Sequence, residues 1–268
     1  MENKMTEGNV IRALAAFTVP LTLSGLFQQL FNWVDAFIVG NVEGETALAG
    51  IGATTSVYNL FVTVITGFTS VQYGVSSVGN IYLQQFMNRF GEQTVAAITT
   101  AYRVDTVIFL PIINFGSGIA TVVAQNIGAG KPERAKQVFR AGTVIMTVIS
   151  LALTALVLLL GEKLIAAFGI TPDTAAIGRE FFHSIARFYI IYGISMAVRG
   201  CLEGRGDMLF SGIAGILSLG VRILCSYAFK PVFGNMVVAY AEAFSWIFLL
   251  AVLLLRYAVK TRHTFWYP

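Results

Sequence analysis

The sequence predicts an all-α polytopic membrane protein with about eight transmembrane helices, and three observations predict this class. Hydrophobic residues make up 56% of the 268 residues and charged residues only 12%, whereas an average soluble domain is about 25% charged. Apolar segments recur at the ~20-residue length that crosses a hydrocarbon core of ~30 Å. Lysine and arginine are concentrated in alternate loops, as in multi-pass proteins.

The predicted spans follow one another along the whole chain. The first apolar run, residues 13–39, is too long for the apolar part of a signal peptide and is interpreted as the first span. Seven more apolar segments predict the remaining spans: 47–69, 71–90, 94–122, 139–160, 177–200, 208–229 and 234–256.

The junction between the second and third spans has no polar loop. A single helix over residues 47–90 would be about 65 Å long, roughly twice the hydrocarbon thickness. The chain is therefore expected to turn back between Gly67 and Gly74, with Gly74 in the left-handed conformation of a turn.

Charge asymmetry predicts the orientation. With the N-terminus inside, the outer loops hold only four basic residues: Arg89, Lys163, Arg179 and Lys230. The expected cytoplasmic side holds eleven: Lys4, Arg12, Lys131, Arg134, Lys136, Arg140, Arg199, Arg205, Arg256, Lys260 and Arg262. We therefore expect a multi-pass protein of the inner (plasma) membrane with both termini cytoplasmic, in which thiol reagents reach Cys201 only from the inside.

Several classes of function lack support in the sequence. Cys201 and Cys225 have no metal-type spacing, the two histidines are His183 and His263, and neither HExxH nor GxSxG occurs. The GAGK at 128–131 fails the phosphate-loop pattern. The net charge of +4 is explained by membrane orientation rather than by nucleic acid. We expect no enzyme, no metal, no cofactor and no nucleic-acid partner.

Two stretches of the chain repeat each other. LFQQLFN at 26–32 returns as LQQFMN at 83–88, and each is followed by a glycine, a short run with glutamate and threonine (EGET at 43–46, EQT at 92–94) and an alanine-rich segment. Repeated helical units in an apolar protein are typical of transporters, whose path lies at the repeat interface.

Five segments resemble the multidrug and toxic compound extrusion (MATE) family of cation-coupled exporters. PLTLSGLFQQLFNWVDAFIVG at 20–40 is similar to its first helix, and ALAGIGA at 47–53 to the start of its second. Residues 71–91 are similar to its seventh helix. QNIGAGK with ERA, within 125–135, and RG with GRGD, within 199–207, resemble the segments after its eighth and tenth helices.

The resemblance implies a distinct architecture. The family has twelve helices in two six-helix lobes, and this chain lacks counterparts of helices three to six. It implies a remnant of the first lobe at 1–70, with two helices, and a complete six-helix second lobe with its tail at 71–268.

The function that the resemblance implies is antiport. Such a protein exports drugs or other organic compounds against inward Na⁺ or H⁺, here impaired by the internal deletion. A transport-silent truncated membrane protein and a lipid-linked-oligosaccharide flippase remain alternatives. The expected partners are a small organic substrate and membrane lipids. The chain is also a candidate for a homodimer.

Asp35 and Asn32 are the predicted ion-binding residues. A carboxylate within a span is by default a candidate functional group, and Asn32 lies one turn away on the same face. Asp35 also matches the first-helix aspartate that takes part in ion binding in one branch of the family. The alternative is a hydrated acid at the helix end.

The predicted substrate path contains Gln84, Gln85, Asn88 and Arg187. The three amides could bind a ligand or bond neighbouring helices. Arg187 and Arg222 each lie within a span, where arginine usually faces the bundle interior or water. The alternatives for these arginines are a structural pair with Asp105 and a side chain that snorkels to the interface.

Overall fold

The computed structural model describes residues 5–42 and 71–261, and its secondary structure within these ranges is helical. The α-helices are α1 (Val10–Val42), α2 (Val71–Met87), α3 (Glu92–Gly128), α4 (Pro132–Ala166), α5 (Pro172–Ile185), α6 (Tyr189–Gly204), α7 (Met208–Ala228), α8 (Lys230–Phe233) and α9 (Val237–Thr261). Short 3₁₀ turns at Asn88–Phe90, Ala186–Phe188 and Gly234–Met236 follow α2, α5 and α8.

Six helices of the described ranges are long and apolar enough to cross a membrane. They are Val10–Phe31, Glu92–Gly128, Pro132–Ala166, Pro172–Gly204, Met208–Ala228 and Lys230–Lys260. The 17-residue α2 coincides with the predicted third span. The chain is thus an all-α polytopic membrane protein, while the predicted second span, 47–69, lies outside the described residues.

The expected turn at the second junction needs a correction at one end. Residues 67–70 lie outside the described residues, but Gly74 lies in the first turn of α2. The expectation that Gly74 adopts a left-handed conformation is therefore wrong, because α2 already begins at Val71.

Local signals explain where the longest spans begin and bend. Thr171 caps α5, since its Oγ1 accepts a hydrogen bond from the backbone N–H of Thr174 at 3.4 Å, and Pro172 occupies the first turn. Pro111 within α3 has no N–H to donate to the carbonyl four residues earlier, which favours a bend in this long helix.

Helix α3 lies at the centre of the bundle and packs against α1, α4, α5 and α6. Glycines bring the backbones of α3 and α6 into contact. A Cβ added at Gly200 would collide with the carbonyl oxygen of Gly116, and one at Gly204 would lie 2.5 Å from the carbonyl oxygen of Ala120. Small residues at helix crossings are a common means of tight packing in membranes.

The segments expected on the cytoplasmic side share one end of the bundle. The N-terminal segment meets the α3–α4 loop, where Arg134 donates to the carbonyl oxygens of Glu7 and Gly8 at 2.8 Å each. The α6–α7 loop meets α9 through an ion pair between Asp207 and Arg256. This grouping agrees with the predicted topology, and the membrane side that this end faces stays a prediction.

The expected thiol reactivity of Cys201 is not compatible with the structure. Cys201 lies in α6, not in the loop, and is completely buried. Its side chain packs among apolar residues, so a water-soluble reagent cannot reach it from either side. The membrane topology must therefore be tested by thiol labelling at other positions.

Candidate functional site

A buried carboxylate lies in the central helix. Asp105 of α3 is 2% exposed, and its Oδ1 accepts a hydrogen bond from the hydroxyl of Tyr189, at the start of α6. Among the described residues, no group hydrogen-bonds to its other oxygen, Oδ2. A charged carboxylate with one free oxygen is costly in an apolar interior.

A buried ion pair lies beside it. Arg222 of α7 donates from Nη2 to Oε2 of Glu242 on α9, at 2.9 Å, and to the hydroxyl of Tyr102 on α3, at 2.6 Å. The side chains of Arg222 and Glu242 are 17% and 10% exposed. Tyr102 precedes Asp105 by one helical turn and so lies on the same face of α3. The pair and the carboxylate therefore form one charged cluster, contributed by α3, α6, α7 and α9.

Aromatic rings cover one side of the cluster. Phe109, one turn after Asp105, contacts Tyr189, Tyr192 and Trp246 with ring centroids 5.1, 5.0 and 5.6 Å apart. Trp246 itself lies one turn after Glu242 on α9. These rings exclude bulk water from one side, which strengthens electrostatic interactions within the cluster.

The charges of the cluster do not sum to zero when Asp105, Glu242 and Arg222 are all ionised. Asp105 and Glu242 would each carry −1, and Arg222 carries +1. The nearest further cation in the sequence of α3 is Arg103, which is two residues from Asp105 and faces another side of the helix. One negative charge is therefore left over within the bundle unless a cation or a proton joins it.

The predicted ion-binding residues Asn32 and Asp35 belong to α1, but their side chains are outside the described residues. Nearby on α1, Trp33 donates from Nε1 to the carbonyl oxygen of Arg103 at 3.1 Å. This contact brings the α1 segment that contains them next to α3. Their role in ion binding stays a prediction.

The predicted substrate-path residues are on the surface of the chain rather than in the charged cluster. Gln84 donates to Oδ1 of Asn88 at 3.1 Å along α2, and Gln85 is exposed. Arg187 is exposed and donates to the carbonyl oxygen of His183. No ion pair joins Arg187 to Asp105 in the described part of the chain, since Oδ1 of Asp105 accepts from Tyr189 and its Oδ2 has no hydrogen-bond partner. Whether these residues contact substrate stays a prediction.

Sequence reasoning missed Glu242, although the signal was present. Glu242 is an acid within the predicted span 234–256, and the rule that singled out Asp35 applies to it equally. Tyr102 and Tyr189 had no such signal, because tyrosine is common in spans and only the packing shows what each hydroxyl bonds. Arg222 was recognised, but its partner was not.

Comparison with known proteins identifies the family. The MatE family model matches residues 69–228, more than half of the chain, including Asp105, Tyr189 and Arg222. The chain belongs to the MatE family. This family consists of transporters, which is consistent with the expectation that the chain is not an enzyme.

The curated relatives of this MatE protein are bacterial. It is 25% identical over 151 residues to the probable multidrug resistance protein YpnP of Bacillus subtilis, covering 56% of the chain and 34% of the relative. It is 32% identical over 122 residues to the probable multidrug resistance protein NorM of Bradyrhizobium diazoefficiens, covering 46% and 25%. The chain therefore matches about a third of the length of the first relative and a quarter of the second.

A solved structure shows the same fold. The inward-facing conformation of a multidrug resistance MATE family transporter of the MOP superfamily aligns with a TM-score of 0.66 and 17% identity. The alignment covers 73% of this chain and 47% of that one. About half of the solved transporter is thus represented here.

Proposed function

We propose that this MatE protein takes part in the export of drugs or other organic compounds across the plasma membrane, coupled to inward movement of Na⁺ or H⁺. The observation that supports it is a charged cluster buried inside the bundle, of which Asp105 and Arg222 lie within the segment that the family model matches. Ionisable groups within a membrane bundle are expensive and mark ion or substrate pathways. The names of the curated relatives support the same class of cargo.

The proposed arrangement is a pair of chains. We interpret residues 1–70 as a remnant of the first lobe and 71–268 as a complete second bundle, which encloses only part of the cleft that two lobes would make. Two copies could each supply residues 71–256 as one wall, held by helix packing rather than by water exclusion. Alternating access would follow from rocking of the two bundles.

The charge distribution gives less support to a lipid-linked-oligosaccharide flippase. A pathway for an anionic lipid would need an excess of positive charge, but the charge of Arg222 is neutralised by Glu242. Arg187 is exposed, outside the charged cluster.

The test uses the full chain in an efflux-deficient bacterial host. We expect weak efflux of ethidium from preloaded cells, lost when a protonophore or a sodium ionophore collapses the driving gradient. Efflux that is unaffected by both agents would contradict cation coupling. No efflux from cells whose membranes contain the folded chain would favour the transport-silent alternative.

A further inference from the structure

We propose that Asp105 is a proton-binding site, which holds one proton at neutral pH and so completes the charge of the buried cluster. The proposal concerns the occupancy of this site and does not require that the chain transports. Only the additional role of that proton as coupling ion rests on the proposed function.

The count of charges is the first argument. Two carboxylates and one guanidinium share the cluster, so one proton makes it neutral. Neutralisation by a proton is the usual outcome when a carboxylate is buried without a cationic partner of its own.

The hydrogen bonds decide which carboxylate holds the proton. Glu242 receives the guanidinium of Arg222 at 2.9 Å, a charge-assisted bond that favours its ionised form. Asp105 receives only the neutral hydroxyl of Tyr189. The cation therefore stabilises Glu242 as an anion and leaves the proton to Asp105.

The free oxygen gives the proton its place. Oδ2 of Asp105 is buried and has no hydrogen-bond partner within the described ranges, while Oδ1 is bonded by Tyr189. Protonation at Oδ2 removes the charge without disturbing the bond to Oδ1. The charged and titratable groups that interact with Asp105 among the described residues are Tyr102, Tyr189, Arg222 and Glu242.

The experiment is infrared spectroscopy of the purified full chain in lipid nanodiscs. At neutral pH we expect the carbonyl band of a protonated carboxylic acid, shifted by exchange into D₂O. Incorporation of ¹³C-labelled aspartate should move the band to lower frequency. A band whose frequency does not change with this label would place the proton on a glutamate and overturn the assignment. The absence of any such band would overturn the proposal.

Variants locate the proton among the aspartates. Asp105→Asn should remove the band, whereas Asp173→Asn, the same change at an exposed position, should leave it intact. Persistence of the band in Asp105→Asn would overturn the proposal. If Asp105→Asn does not fold, Tyr189→Phe provides an independent test. It removes the hydrogen bond to Oδ1 and should move the band to higher frequency without loss of intensity, and an unchanged frequency would count against Asp105.

The measurement also separates a proton from a metal cation. Spectra in sodium chloride and in choline chloride should show the same band if the site holds a proton. A band that appears only when sodium is removed would show that Na⁺ occupies the site, which overturns the proposal. Ethidium efflux is a separate readout. If the band is present but no efflux is measured, the proposed function is refuted and the proton site is not.

Discussion

At the scale of single residues, two aspartates show how the surroundings decide what a carboxylate does. Asp207 lies in the α6–α7 loop and accepts two hydrogen bonds from Arg256, from Nε at 2.7 Å and from Nη2 at 3.0 Å. The guanidinium also lies over the ring of Phe210, 4.6 Å from its centroid. Asp105 has only a tyrosine hydroxyl. The first is held as an anion, and the second is the proposed proton site.

The bond to Arg256 makes the contribution of Asp207 depend on pH. This bond lowers the pKa of the Asp207 carboxyl below its ordinary value. The ion pair therefore stabilises the fold above the ordinary carboxyl pKa of about 3.9, and the stabilisation is lost as pH falls through the lowered value. Asp207→Asn should lower Tm at neutral pH by about 2–4 °C.

Thermal unfolding in detergent at several pH values checks this prediction. The difference in Tm between wild type and Asp207→Asn should shrink as the pH falls below about 4. Glu180→Gln, at an exposed position in the middle of α5, is the control and should leave Tm unchanged. A difference that is constant over the whole pH range would contradict the ion-pair explanation.

Asp35 is the residue on which the predicted coupling in the first helix depends. Asp35→Asn should abolish cation-dependent ethidium efflux and leave membrane insertion intact, because a coupling ion must bind the two access states differently. Efflux and the amount of folded protein are measured in the same cells. Robust efflux from Asp35→Asn would refute this role and move the search for the coupling site to the second bundle.

At the scale of elements, the contact between α3 and α6 depends on glycine. These helices position Asp105 and Tyr189, and they cross where Gly116 and Gly200 bring the backbones together. Alanine would ordinarily favour a helix over glycine by up to about 1 kcal/mol. At Gly200 the added methyl group meets a backbone carbonyl, which cannot rotate away as a side chain can.

We expect Gly200→Ala to destabilise the protein by about 1–3 kcal/mol through overpacking. Gly220→Ala on α7 is the matched control, because an added Cβ there has no neighbour within 4 Å among the described residues. Thermal unfolding of both variants in detergent is the measurement. Equal stability of the two variants would show that the α3–α6 crossing is looser than the structure indicates.

At the scale of the whole molecule, the membrane orientation is the property that most needs a test. Met208, the first residue of α7, and Val232, which follows the other end of α7 in α8, are 67% and 71% exposed. In a chain with Cys225→Ser, Met208→Cys should react with an impermeant thiol reagent only in opened cells. Val232→Cys should react in intact cells. The reverse pattern would invert the predicted topology.

Composition and the length of the apolar segments by themselves determined that this protein is a helical membrane protein, because a chain with so few charges cannot cover a water-soluble surface. The residues of the resembling motifs also pointed to the family that the comparisons then showed. Helix positions followed from apolar length, which is a local property. The buried acid Glu242 was within reach of the same reasoning.

Only the tertiary structure decided which groups meet. Asp105 and Tyr189 are 84 residues apart, and Arg222 is 120 residues from Tyr102, so their pairing depends on how four helices pack. The burial of Cys201 and the helical conformation of Gly74 likewise follow from packing and from where helices begin. A single sequence shows which side chains are costly in a membrane, but the partner that offsets each cost is set by contacts between distant helices.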